Sequence, residues 1–170
     1  MAPIELDVLI CGGGMVGASL ARALAPTGLR VGMVEAVAFD SEDQPSYDDR
    51  AIALSWGSRC ILDRLGAWEG LQEEVGVIET IHISERGQFG AARLTSAQAQ
   101  VPALGYVATA RGLGRVLATG IERCAELFCP YRMADLSQTE QGVEVTIDGE
   151  GVSRRLRARL LVAADGARSW

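Results

Sequence analysis

The chain has 170 residues, 48% of them hydrophobic, which is enough for a globular fold with a real core. Its formal net charge is −6 and no basic patch dominates, which argues against a nucleic-acid partner. All 16 basic residues are arginine, and lysine and asparagine are absent, which reads as a bias of codon usage and not of function.

The run Val8-Leu9-Ile10-Cys11 is short, continuous and apolar, the pattern of a strand buried on both faces of a parallel sheet. It leads into "GGGMVG". Gly12 permits the tight turn out of the strand, Gly14 lets the backbone approach a pyrophosphate, and Gly17 lets the next helix pack close to the strand. The start of that helix offers free N–H groups and the positive end of its dipole to a phosphate. Helical spacing continues through Ala21 and Leu24, and Gly28 is placed to end it. A second strand, Arg30 to Val34, ends in Glu35. This carboxylate stands about twenty residues past the glycines, where a dinucleotide fold needs an acceptor for a ribose 2′-OH. Together these features predict a dinucleotide site. The bland alternative is a glycine-rich strand-to-helix turn in an ordinary α/β domain. Glu35 without an arginine-rich neighbourhood favours a free 2′-OH, as in FAD or NAD, over a 2′-phosphate.

After Glu35, "AVAFDSEDQPSYDDR" reads as an exposed acidic loop. A plain NAD fold would supply a crossover and a third parallel strand here. Instead Arg50 leads into "AIALS" and a helix from about Trp56 to Leu65. Ser55 is its N-cap, Ile61, Leu62 and Leu65 its buried stripe, and Gly66 its stop. A short helix over Trp68 to Glu74 is expected next. From Val77 the period changes: "VIETIHISERG", "AARLTS" and "LGYVATA" read as strands of an antiparallel sheet. A helix is expected from Gly112 to Ala125, with Leu113, Leu117, Ile121 and Cys124 on one face. "GVEVTIDGEGVSRRLRARL" reads as a hairpin in which Asp148-Gly149 turns the chain. Leu160 to Ala164 reads as a last buried strand of the main sheet, ending in Asp165-Gly166.

The four cysteines, Cys11, Cys60, Cys124 and Cys129, form no CxxC pair and read as small buried residues in a reducing compartment. His82, the only histidine, reads as an ordinary strand residue, and no metal site can be assembled around it. No apolar run reaches the length of a membrane span, and "MAPIELD" lacks the regions of a signal peptide, so a cytoplasmic location is expected.

Three motifs agree on a resemblance. "GGGMVG…E", "DDRAIALSWGSRCILDRLGAWEGL" and "LLVAADGARS" together resemble the FAD-dependent aromatic hydroxylases. Within them the chain is most similar to the ubiquinone-biosynthesis branch, the 2-octaprenyl-6-methoxyphenol hydroxylases. The resemblance implies an α/β, Rossmann-like FAD-binding fold, a parallel sheet with crossover helix and β-hairpin, carrying part of an inserted antiparallel substrate-domain sheet. It divides the chain into residues 1–75 (FAD-binding domain, first part), 76–108 (strands of the substrate domain) and 109–170 (FAD-binding domain, continued).

The resemblance also implies roles. Gly12, Gly14, Met15 and Gly17 would hold the FAD pyrophosphate and Glu35 the adenosine ribose. Arg50 would contact FAD phosphates or sugar; by itself it reads as a solvated loop arginine. Arg111 would lie near the nucleotide part of the flavin. Asp165 and Gly166 would serve FAD and the incoming nicotinamide nucleotide; alone they read as a strand-ending turn. The implied reaction is hydroxylation of an electron-rich phenol with NADPH or NADH and O2. The cofactor carries that chemistry, so no catalytic residue is named. A polyprenylated phenol would bring the enzyme to the periphery of the inner membrane, or into a ubiquinone-biosynthesis complex. Family members are much longer than this chain, so an N-terminal part, inactive alone, is expected. Two other classes stay open: an NAD(P)-dependent Rossmann dehydrogenase, and a non-catalytic nucleotide-fold scaffold.

Overall fold

A computed structural model describes residues 3–41, 44, 48–87 and 89–166. The elements in chain order are β1 (Ile4–Cys11), α1 (Met15–Leu24), β2 (Val31–Val34), β3 (Ala51–Ser55), α2 (Trp56–Arg64), β4 (Gly76–Ile78), β5 (Thr80–Ser84), β6 (Ala91–Thr95), α3 (Ser96–Ala99), β7 (Gly105–Thr109), α4 (Ala110–Ala118), β8 (Glu126–Phe128), β9 (Arg132–Thr139), β10 (Gly142–Gly149) and β11 (Val152–Ala163). Backbone contacts divide the chain into two units, Met1–Tyr47 with Leu117–Trp170, and Asp48–Val116. These limits enclose the 76–108 segment within a longer unit.

The first unit is built on a six-stranded sheet in the order β8-β2-β1-β11-β10-β9. The strands β8, β2, β1 and β11 run parallel, and β10 and β9 continue the sheet antiparallel. All four residues of β2 are buried, as a continuous apolar run in a parallel strand requires. Gly32 in that strand has a packing reason: a Cβ there would stand 2.5 Å from Leu6 Cδ1. The core gathers Leu6, Leu9, Val34, Phe128, Val145, Ile147 and Leu156. Each such side chain contributes about 1.5–3 kcal/mol by leaving water. On α1, Gly17, Ala18 and Ala21 are buried, so small residues bring the helix close to the sheet.

The second unit holds an antiparallel sheet, β3-β7-β4, and a separate hairpin, β5-β6. Trp68 meets Tyr106 edge-on with ring centroids 4.8 Å apart. The Arg59 guanidinium lies over both Trp56 and Trp68, at 5.3 and 5.2 Å from the ring centroids. Ser55 caps α2 as expected, its Oγ accepting from Ser58 N–H at 3.1 Å.

Several local expectations are corrected. Leu62 is buried but Ile61 is 60% exposed, because the nine-residue α2 buries a narrower stripe than its apolar content suggests. Residues 68–74 form successive turns, with Leu71 and Gln72 N–H groups donating to Trp68 O, and not a helix. The helix expected over Gly112–Ala125 begins at Ala110 and ends at Ala118. Gly120, at φ +73°, breaks it before a 3-10 turn at Ile121–Arg123. The β10-β11 hairpin turns at Glu150-Gly151, whose φ angles are +51° and +76°, and not at Asp148-Gly149. The last strand is longer than expected and less buried: Leu160 is 55% exposed among the described residues. Strands β8 and β9 are additional to the elements expected from the sequence. Of the acidic loop after Glu35, residues 42, 43 and 45–47 lie outside the described residues, as do residues 167–169 of "LLVAADGARS".

Candidate dinucleotide-binding site

The parallel strands β1, β2, β8 and β11 all end at one edge of the first sheet, the edge where open α/β sheets bind ligands. The sequence-predicted glycines emerge there. Gly12 N–H donates to Val34 O at 2.8 Å, tying the turn to β2. Gly12 has φ +100°, and a Cβ on it would lie 2.4 Å from Ala164 O and 2.8 Å from Asp165 Cα. The glycine turn and the Asp165-Gly166 turn are therefore neighbours. A Cβ on Gly17 would lie 1.9 Å from Gly12 O, so only glycine fits where α1 crosses the turn. Gly14 is the N-cap residue of α1, and its carbonyl accepts from Ala18 N–H at 2.9 Å. The first N–H groups of the helix, from half-buried Met15 onward, have no acceptor within it. They remain available to an anion.

Glu35 follows β2 and is only 8% exposed. Its Oε2 accepts from Gly13 N–H at 2.6 Å and its Oε1 from Val37 N–H at 2.8 Å. Two backbone donors offset the desolvation of this buried carboxylate. Each carboxylate oxygen can accept a second hydrogen bond, which leaves capacity for a ribose hydroxyl. The backbone of Glu35 is fixed as well: its N–H donates to Phe128 O, and its carbonyl accepts from Tyr131 N–H, both at 2.9 Å.

Cys11, the last residue of β1, carries a thiol that burial, with a smaller contribution from the Asp165 charge, pushes up to about 12. It is an uncharged packing group here, not a nucleophile. Cys129 is raised too, first by burial and then by the charges of Glu35 and Asp40.

In the second unit, Arg50 and Arg111 are brought together by the backbone. Ala110 N–H donates to Arg50 O at 2.9 Å and Arg111 N–H to Asp48 O at 3.0 Å. Both arginines face carboxylates: Arg50 Nε is 2.6 Å from Asp48 Oδ2, and Arg111 Nε is 3.1 Å from Asp49 Oδ1. The hydrogen bond from Arg50 holds the Asp48 carboxyl below its usual range. Both guanidinium groups are more than half exposed and able to exchange a carboxylate for a phosphate.

The model of the FAD binding domain family matches residues 5–170. The chain belongs to this family. It is 38% identical over 171 residues to the ubiquinone hydroxylase UbiL of Rhodospirillum rubrum, across 96% of this chain and 38% of that protein. It is 32% identical over 177 residues to the 3-demethoxyubiquinol 3-hydroxylase of Escherichia coli, across 96% of this chain and 42% of that protein. The fold matches that of OxyS anhydrotetracycline hydroxylase from Streptomyces rimosus with a TM-score of 0.78 at 25% identity, over 98% of this chain and 33% of that one. The chain thus spans about two fifths of the curated relatives it matches.

The residues present fit the cofactor of an FAD binding domain. The turn admits no side chain at Gly12 or Gly17, the N–H groups at the start of α1 are open, and a buried acid with acceptor capacity stands beside the turn. Sequence reasoning missed Gly13, Asp48 and Asp49. The run of three consecutive glycines was the available signal for the first. The acidic pair directly before Arg50 was the signal for the last two.

Proposed function

We propose that the chain binds FAD and forms the nucleotide-binding part of a flavin-dependent monooxygenase that hydroxylates a phenol with NAD(P)H and O2. The observation that carries the reading is the Glu35 carboxylate, buried at the carboxyl edge of the sheet and hydrogen-bonded to the Gly13 N–H of the glycine turn. When bound, FAD supplies the redox chemistry that takes electrons from the nicotinamide nucleotide and activates oxygen.

The roles of the chain's own groups follow from their placement. Gly12, Gly14, Met15 and Gly17 present backbone to the pyrophosphate, and the dipole at the start of α1 favours its charge. Glu35 accepts from the adenosine ribose. Arg50 and Arg111 release Asp48 and Asp49 to contact cofactor phosphate or sugar. Asp165 and Gly166, beside Gly12, complete the turn that serves FAD and the nicotinamide nucleotide. Residues 1–75 and 109–170 serve the cofactor, and 76–108 contribute strands toward the substrate.

The substrate proposed is a polyprenylated phenol of ubiquinone biosynthesis, a reading supported by the names of the UbiL and Escherichia coli relatives. Such a tail partitions into lipid, which favours a cytoplasmic enzyme working at the periphery of the inner membrane, alone or in a biosynthetic complex. No helix among the described residues is long and apolar enough to cross a membrane.

The test is the visible absorption spectrum of the purified protein before and after addition of FAD. A flavin band that survives gel filtration supports the reading. Its absence after FAD addition overturns it, in favour of a dehydrogenase where NAD is retained and of a non-catalytic scaffold where it is not. For the protein at its relatives' full length, phenol-dependent NAD(P)H oxidation with hydroxylated product is the expected activity.

A further inference from the structure

Three glycines of "GGGMVG", Gly12, Gly14 and Gly17, have a place in a dinucleotide turn. The remaining one, Gly13, stands where the pattern accepts other residues. The structure supplies a reason for it. A Cβ on Gly13 would lie 2.5 Å from Phe39 Cζ, 3.0 Å from Phe39 Cε1 and 3.1 Å from Glu35 Oε2. The Phe39 ring therefore rests against the Gly13 peptide, whose N–H is the one bonded to Glu35.

The segment bearing Phe39 is itself tied down. Val37 N–H donates to Glu35 Oε1, and Val37 O accepts from the amide of buried Gln44 at 2.7 Å and from the Cys129 thiol at 3.6 Å. Ser41 N–H donates to Ala38 O at 3.0 Å. Phe39 is half-buried, outside the sheet core, and no step of the proposed reaction uses it.

Three consecutive glycines are costly to order, because glycine loses more backbone freedom than any other residue. A loop left free until ligand arrives meets that ordering cost on binding. We infer that Phe39 is a positioning residue for the adenosine end of the dinucleotide site: its ring holds the Gly13 peptide against Glu35 and orders the turn before the ligand binds. The inference rests on the FAD reading of this site.

The experiment is equilibrium titration with FAD, ADP and FMN on the wild-type protein, F39A, F39L, G13A and the F39A/G13A double variant, with a thermal midpoint for each. F39A is expected to weaken FAD and ADP alike by about tenfold, the ordering cost of roughly one loop residue. FMN, which lacks the adenosine half, is expected to bind as it does to wild type. F39L fills the space without a planar ring and is expected to recover part of the loss. G13A is expected to weaken ADP binding in the wild-type background and to do so less beside F39A, where only the 3.1 Å approach to Glu35 Oε2 remains. Unchanged ADP and FAD affinity in F39A overturns the inference. So do affinity losses that merely track losses of midpoint across the set, which would make Phe39 a packing residue only. Should F39A fail to fold, F39L decides in the same way. A wild-type protein that takes up neither FAD nor ADP overturns the FAD reading and the inference with it. A wild type that binds both, matched by variants that bind both equally, retires Phe39 alone.

Discussion

The two units achieve order by different means. In the first, strands are buried by their own sheet and helix: β2 is buried throughout, and Leu9, Ile10, Met33, Ile147 and Leu156 are almost inaccessible. Its site is made of backbone, with glycines packed so closely that a methyl group has nowhere to go. In the second, the β5-β6 hairpin is exposed along both strands, with Ile81, Ile83 and Leu94 open to solvent. Its candidate site residues are side chains, the exposed arginines Arg50 and Arg111 in ion pairs that solvent screens. A backbone site is rigid and intolerant of substitution. A site of exposed side chains is replaceable, and its contribution is to ligand binding and not to folding.

The largest effect expected from this contrast is in the first core. Leu9→Ala removes a fully buried side chain and should destabilise by about 2–5 kcal/mol in a denaturant titration. Gly17→Ala comes next. In an ordinary helix position alanine would stabilise by up to about 1 kcal/mol, but here its Cβ meets the Gly12 carbonyl, and a loss of about 2–3 kcal/mol is expected. The opposite sign is the informative part, because propensity alone cannot produce it. A stabilised Gly17→Ala protein that still takes up FAD would break the claim that the turn is made of backbone contact.

How far the sequence was readable follows the same division. Where backbone and burial decide, pattern sufficed: the β1-α1-β2 unit, Glu35 at its end, the Ser55 cap and the pairing of the "GVEVTIDGEGVSRRLRARL" hairpin are all present. Misreadings arose where local signals competed. Apolar spacing from Leu113 to Cys124 continues through Gly120, so periodicity overran a stop that only the positive φ reveals. Asp148-Gly149 is a strong turn dipeptide, yet the hairpin turns two residues later. Gly149 instead accommodates Pro130 O, which would stand 2.2 Å from a Cβ. Strand β8 is three residues long and owes its place to pairing with β2, a partner distant in sequence that no local pattern announces. The same holds for Phe39 on Gly13.

A pH series gives a further test of the first unit. Cys11 in the folded chain is pushed up to about 12 from an ordinary value near 9. A raised thiol keeps its proton when folded at pH values where the unfolded chain has lost it. The unfolded state then binds fewer protons, so stability falls as pH rises. The contribution is complete below about 9 and is lost as pH rises toward about 12. Cys11→Ala should remove this part of the decline, seen as a flatter plot of denaturation midpoint against pH over that window. An unchanged slope would show that the thiol is not isolated from water at the end of β1.

The smallest effects on stability should come from the second unit. Arg111→Ala breaks a pair in which both partners are more than half exposed, and should change stability by less than about 0.5 kcal/mol. If the guanidinium contacts a cofactor phosphate, the same change should weaken FAD about tenfold, the usual scale for one charge-assisted hydrogen bond. Ile83→Ser on β5 should stay within about 0.5 kcal/mol of wild type, because the side chain is already 54% exposed and removing it opens no cavity. This change is the counterpart of Leu9→Ala: both replace an aliphatic residue in a strand, and only burial separates them. A loss of several kcal/mol at Ile83 would mean that the hairpin face is covered in the protein in solution. The contrast between a buried and an open region would then give way to one between two covered ones.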